Sequence, residues 1–315
     1  MASLPRVFSM QVAGGKKAEI PSVGFGTWAS DGSSPTTPAD PRWIIEGLAF
    51  ALDVGYRHLD GAWFYGVDNE IGEGIRQSTV PRNELFVTSK IWPNFYHPDA
   101  VELCCDKILE GMKIDYLDCL LLHWPQAFEP TSLEYLQQAS AGNAAIVSTW
   151  NAMKELVKKG KVRSIGVSNF GIKDLEALLP HAQDVPISVN QVEAHPWFPN
   201  NDVVNFGKQH GILTSCFSPF AGQKADGATL IHDPTVKTVA KKNDMGVGQL
   251  LQSWAVQRGT IPLGKSGNKD RIKANCSVRK LSDEDMKALD DLEIPDGAGR
   301  TIDFTEEWGI KLWQN

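Results

Sequence analysis

Four residues of this chain could move a proton together: Asp60 and Tyr65 in HLDGAWFYG, Lys90 in LFVTSKIW, and His123 in DCLLLHWP. Asp60, Lys90 and His123 each stand at the end of a short apolar run, and Tyr65 lies one short loop beyond Asp60. A tyrosine ordinarily loses its proton near pH ~10. An ammonium beside it favours the phenolate and is expected to bring that value down. A buried charge needs a partner, so Asp60 is expected to pair with Lys90 and keep it charged and turned toward Tyr65. Tyr65 then serves as a general acid, and His123 orients a substrate oxygen through a ring nitrogen. A proton donor beside a cation suits a carbonyl oxygen that is becoming an alkoxide. The carbonyl carbon needs a hydride, which no side chain delivers, so a nicotinamide cofactor is implied.

Singly, each residue has an ordinary explanation. A histidine after three leucines is usually a satisfied core residue, a strand-end lysine usually snorkels to the surface, and an aspartate there commonly caps a turn. The reading rests on their conjunction at the ends of successive strands.

Such a conjunction needs a scaffold. Eight short runs rich in apolar and β-branched residues recur along the chain: 23–27, 56–60, 85–90, 118–124, 162–169, 187–194, 212–219 and 259–266. Near-continuous apolar strands belong to a parallel sheet buried on both faces. Between them lie stretches of helical spacing, among them PRWIIEGLAFALDVG from Pro41 to Gly55, HPDAVELCCDKILEGM, TWNAMKELVKKGK, NDVVNFGKQHG, DPTVKTVAKKN, VGQLLQSWAVQRG and DEDMKALDDLE. The alternation predicts one α/β domain over 1–315, a (β/α)8 barrel with an N-terminal β-hairpin around VAGGKKAE and a C-terminal loop over the barrel mouth. A doubly wound sheet would want a GxGxxG turn, and GFGTWASDG has the wrong spacing. SSPTTPAD at 33–40 reads as a loop, and the tail carries Phe304, Trp308 and Trp313. Active sites of such barrels sit at the C-terminal strand ends. There the chain places Thr27-Trp28, Asp60, Lys90, His123, Ser168-Asn169, Gln191, Phe217-Ser218 and Lys265-Ser266.

A net charge of -7 without long runs of one sign gives no reason to expect nucleic-acid binding. No secretory signal or membrane-spanning run is read, and a cytoplasmic protein, monomeric or weakly dimeric, is expected. The five cysteines are odd in number and scattered, which suits free thiols in a reducing compartment. No CxxC or HExxH is present, so no metal site is expected.

With these motifs in order, the sequence resembles the aldo-keto reductase family over essentially its whole length. DGAWFYGVDNEIG, VTSKIW and LLLHWP match the family's tetrad at Asp60, Tyr65, Lys90 and His123. The resemblance implies that Ser168 and Asn169 of GVSNF, with Gln191 of VNQVEAHP, hold a nicotinamide amide. It implies that Phe217 stacks on the nicotinamide in place of the usual tyrosine, with Thr27, Trp28 and Ser218 completing that end. In KSGNKDRIKAN it implies contacts to a 2′-phosphate from Lys265, Ser266, Asn268 and Arg271, and to adenine from Asn275. The expected cofactor is therefore NADPH, with NADH less preferred. Trp28, Trp92, Trp124 and Phe128 match substrate-pocket positions, and the tail from Arg300 to Trp313, including Trp308, matches the segment that sets specificity. The expected substrate is a small polar or sugar-type carbonyl compound such as glyceraldehyde, an aldose or a uronate. Three features depart from the family's pattern: Leu263-Gly264 before Lys265, Trp63, and Pro93-Asn94. Two other readings compete, a Schiff-base lyase or aldolase acting through Lys90 and an NADPH-binding regulatory subunit without catalysis.

Overall fold

The structure, a computed structural model, describes residues 3–28, 42–128, 143–224, 226–308 and 312. The loop expected at 33–40, the helix start at Pro41 and the tail residue Trp313 lie outside the described residues.

The chain opens with a hairpin, β1 (Val7–Val12) against β2 (Lys16–Pro21). Its turn uses Gly14 and Gly15 at φ 74° and 68°, a region that glycine enters without a Cβ penalty. Eight parallel strands follow: β3 (Gly24–Gly26), β4 (His58–Asp60), β5 (Phe86–Ile91), β6 (Cys119–Leu122), β7 (Ile165–Ser168), β8 (Ile187–Glu193), β9 (Leu213–Phe217) and β10 (Ile261–Gly264). Seven fall within the runs read from the sequence, and β5 overruns its run, 85–90, by one residue at Ile91. They pair in order, and β10 closes onto β3 through Leu263 opposite Gly24 and Gly264 opposite Phe25. Leu263-Gly264, read as a departure before Lys265, is thus the end of the closing barrel strand.

The helices are α1 (Arg42–Asp53), α2 (Asp68–Gln77), α3 (Pro98–Met112), α4 (Asn143–Lys158), α5 (Ile172–Leu178), α6 (Asn201–His210), α7 (Pro234–Lys242), α8 (Val247–Gln257), α9 (Lys269–Cys276), α10 (Asp283–Asp290) and α11 (Thr305–Trp308). In α3, Val101, Cys104, Cys105, Ile108 and Met112 form one fully buried face against the barrel. Burying Val101, Ile108 or Met112 contributes roughly 1.5–3 kcal/mol each. Helices α2, α5, α9 and the single-turn α11 escaped the periodicity reading. In α2 the reason is Gly72 and Gly74, poor helix formers in its interior. Gly72 is required there, because a Cβ would stand 2.0 Å from the Met112 carbonyl oxygen.

The hairpin stops the N-terminal end of the barrel, where Met10 and Ile20 pack on Phe86, Cys119, Leu121, Val189 and Ile261. The polar strand ends gather at the opposite mouth. Of the five free thiols, Cys104, Cys105, Cys119 and Cys216 are buried and Cys276 is partly exposed. Among the described residues no helix is long and apolar enough to cross a membrane, and no group of His, Cys, Asp or Glu could hold a metal ion.

Candidate active site

Register places the tetrad. Asp60 lies opposite Thr88 in the β4–β5 ladder. Lys90 is two residues beyond Thr88, and residues two apart on a strand share a face. Lys90 therefore projects inward one step above Asp60. Its side chain is fully buried, and Nζ donates to Asp60 Oδ1 at 3.0 Å, Oδ2 at 2.9 Å and the Gly61 carbonyl at 2.7 Å. The same Nζ lies 3.4 Å from Tyr65 Oη. The carboxylate is pinned from a second side by Gln191, whose Nε2 donates to Oδ1 at 2.7 Å. Thr27 braces the strand end, donating through its hydroxyl to the Asp60 carbonyl at 2.9 Å.

Burial alone would drive Lys90 to give up its proton, but Asp60 and Tyr65 together outweigh it and hold the ammonium above its ordinary value. An ammonium is no nucleophile, so this geometry does not favour a Schiff base at Lys90. The phenol of Tyr65 corrects the sequence reading. Burial raises it above its ordinary value, and the opposing pull of Lys90 does not overcome that. The phenol therefore keeps its proton more firmly than a free tyrosine does, with the Lys90 ammonium beside it. His123 is held neutral, its value driven well below the ordinary one by burial and then by Lys90. Its ring meets that of Tyr65 edge to face at 5.9 Å.

Asp60, Tyr65, His123, Gln191 and Thr27 form the floor of a cavity of about 400 Å³, while Lys90, bonded to Asp60, does not itself line it. Its walls are aromatic. Phe64 stacks on Trp92 with centroids 3.8 Å apart and planes 14° apart, and on its other side lies parallel to Trp28 at 5.9 Å. Trp124, Phe304, Ile302 and Phe220 complete the wall. Two predicted pocket residues sit one layer back. Phe128 and Trp308 pack on each other at 5.0 Å, behind Trp92 and Trp124, and do not line the cavity. Trp63 also turns away, edge-on to Phe95 at 4.8 Å. Pro93-Asn94 begins a tight helical turn, both residues buried. Sequence reasoning missed Phe64. Trp63–Tyr65 is one 3-10 turn, which sends consecutive side chains in three directions, so WFY alone does not say which ring faces inward. A larger open groove, about 1120 Å³, lies between α5, α6 and residues 293–305; no predicted catalytic or cofactor residue lines it, but Arg300, Asp303 and Thr305 of the predicted specificity segment do.

Several features fit a nicotinamide dinucleotide. Ser168, Asn169, Gln191, Phe217 and Ser218 all line the cavity beside the tetrad. Asn169 Oδ1 is buried with no partner, while its Nδ2 donates to the His123 carbonyl at 3.0 Å. An orphaned acceptor of this kind suits an amide donor. Phe217 offers a flat face without a hydroxyl. Around the N-terminus of α9, Asn268 caps Arg271 N at 3.0 Å and Arg271 Nε donates to Ser266 Oγ at 3.2 Å. Lys265 sits 5.7 Å from the Trp43 ring, and among the described residues neither it nor Arg271 has a carboxylate partner. Two unneutralised cations at a helix N-terminus suit a phosphate. Asn275 is buried near α8, its carbonyl accepting from Gln252 at 2.6 Å.

A model of the aldo/keto reductase family matches residues 22–294. A glycerol 2-dehydrogenase (NADP(+)) of Hypocrea jecorina is 37% identical over 313 residues, covering 94% of this chain and 95% of that protein. A D-galacturonate reductase of the same organism is 38% identical over 284 residues, 87% of each. The crystal structure of a Bombyx mori aldo-keto reductase in complex with NADP superposes with a TM-score of 0.84 at 29% identity, covering 99% of this chain and 100% of that one.

Proposed function

This chain belongs to the aldo/keto reductase family, and we propose that it reduces the carbonyl of a small polar or sugar-type aldehyde to an alcohol with NADPH. The observation that carries the reading is Lys90 Nζ, bonded to both Asp60 oxygens and within 3.4 Å of Tyr65 Oη on the cavity floor. When bound, the reduced nicotinamide supplies the hydride. Ser168, Asn169, Gln191 and Phe217 would hold its ring end, and Lys265, Ser266, Asn268, Arg271 and Asn275 its adenosine end.

The protein's own residues handle the proton. Tyr65 donates to the carbonyl oxygen as negative charge grows there, and Lys90 stabilises the phenolate that remains. Asp60 keeps Lys90 charged and oriented, and Gln191 fixes Asp60. Neutral His123 hydrogen-bonds the same oxygen and sets its direction. The aromatic wall covers the C–H face of a sugar-like substrate while its hydroxyls stay toward the mouth. That substrate class is also supported by the relatives named for glycerol and galacturonate.

The test is NADPH oxidation with glyceraldehyde, aldoses, uronates and aromatic aldehydes. Turnover with glyceraldehyde and at least one aldose or uronate is expected. Turnover confined to aromatic aldehydes would overturn the substrate class, and no oxidation with any carbonyl would overturn the reductase reading.

A further inference from the structure

Two residues beyond Gln191, at the end of β8, stands Glu193, a fully buried carboxylate that the proton chain does not use. It accepts four hydrogen bonds. His195 Nε2 and Thr301 N reach Oε1 at 2.9 and 2.8 Å, the Thr301 hydroxyl reaches the same oxygen at 2.6 Å, and Ile302 N reaches Oε2 at 3.1 Å. Thr301 Oγ1 in turn accepts from Gly222 N at 2.9 Å. Ile302 and Phe304 belong to one side of the cavity wall, and Phe217 to Gly222 to another. We propose that Glu193 is a positioning residue that, through Thr301, holds the C-terminal wall of the cavity in register with the Phe217–Gly222 loop.

Chemistry and geometry both point that way. A carboxylate without partners is costly to bury, so its position constrains the donors that satisfy it. Those donors make Glu193 well suited to its charge, holding its carboxyl below the ordinary value although burial pushes the other way. Three of the four come from Thr301 and Ile302, which are more than 100 residues away in sequence. The approach is also shaped by glycine. At Gly299 a Cβ would stand 1.8 Å from the Trp197 carbonyl oxygen, and at Gly222 it would press on Thr301 at 3.1 Å. The threonine hydroxyl is the link between the two walls, since it donates to Glu193 and accepts from Gly222.

The inference rests on the reductase reading for its kinetic arm only. Thr301→Val removes the hydroxyl but keeps both backbone donors to Glu193, whereas Thr301→Ser keeps the hydroxyl. Hydrogen–deuterium exchange of peptides covering 218–224 and 299–304 is compared in the two variants and the unmodified protein. Substrate KM, kcat and Tm are measured alongside. Thr301→Val is expected to speed exchange in both segments and raise substrate KM about fivefold, with kcat little changed. Thr301→Ser should restore both. Unchanged exchange at 218–224, or an unchanged KM where exchange has risen, overturns the proposal. So does a fall in Tm and kcat with KM intact, which is the signature of a purely structural bond. If the unmodified protein oxidises no NADPH, the reductase reading fails and the exchange arm alone decides the clasp.

Discussion

The floor and the wall of the cavity are built by different means. The floor stands on strand ends, where Asp60, Lys90, Gln191 and Thr27 are almost completely buried and bonded at defined atoms. The wall stands on turns and the C-terminal segment, where Phe64, Trp92, Trp124 and Phe304 are held by ring contacts. Ladder register and hydrogen bonds hold a floor residue at defined atoms, and in the proposed mechanism a change there alters which atom carries a proton. Ring packing fills space and has no single indispensable atom. The floor should therefore govern whether the reaction runs, and the wall which carbonyl it runs on.

The sharpest way to break that division is Tyr65→Phe, which removes one oxygen from the floor. The rate of aldehyde reduction should fall by more than the roughly 10²–10⁴ typical of an acid–base group, because the alkoxide also loses a hydrogen-bond donor. NADPH affinity, read by fluorescence titration, should hold. Near-normal turnover would remove Tyr65 from its role.

Arg271→Ala tests the distant end of the site. NADPH binding should weaken by about 1.5–3 kcal/mol, the range for a charged hydrogen bond, while NADH binding barely moves. Equal losses for the two would make Arg271 a structural residue or place it on the shared diphosphate.

A wall substitution should do less and do it selectively. Phe64→Ala removes the ring between Trp28 and Trp92 and should shift kcat/KM between small and bulky aldehydes by roughly 10–200-fold, the scale of hydrophobic-pocket discrimination. A uniform loss across all aldehydes would put Phe64 with the floor.

The smallest expected effect is on pH. The proposed reduction needs protonated Tyr65 and neutral His123. Tyr65 lies above its ordinary value and His123 well below its own, so lowering the pH through about 6.5, where a free histidine gains its proton, should leave kcat/KM flat. An acid limb near that pH that vanishes in His123→Gln would show a charged imidazole instead.

The same division governs what the sequence reveals. The eight strands were legible because strands buried on both faces read as unbroken apolar runs, and the ends of those runs named Asp60, Lys90 and His123. The sign of the Tyr65 shift was not, because it depends on how far burial outweighs a charge 3.4 Å away. Nor was the bond from Gln191 to Asp60, which joins strands 131 residues apart in the chain. Phe64 was hidden among three consecutive aromatics. Glu193 looked like one more residue of a strand, and its partners became visible only once the C-terminal segment was folded back over β8.

The claim at the centre is that Asp60 acts through Lys90 on Tyr65. It is tested most directly by a double-mutant cycle on the turnover number, with Asp60→Asn, Lys90→Met and both together. Asp60→Asn keeps the shape and removes the charge that orients Lys90, so each single variant should lower kcat with cofactor affinity little changed. If the three residues form one chain, the double variant should fall within about twofold of Lys90→Met alone, since groups acting as a unit are not additive. If the two losses multiply as independent effects, the chain is contradicted and Asp60 serves its strand end in some other way.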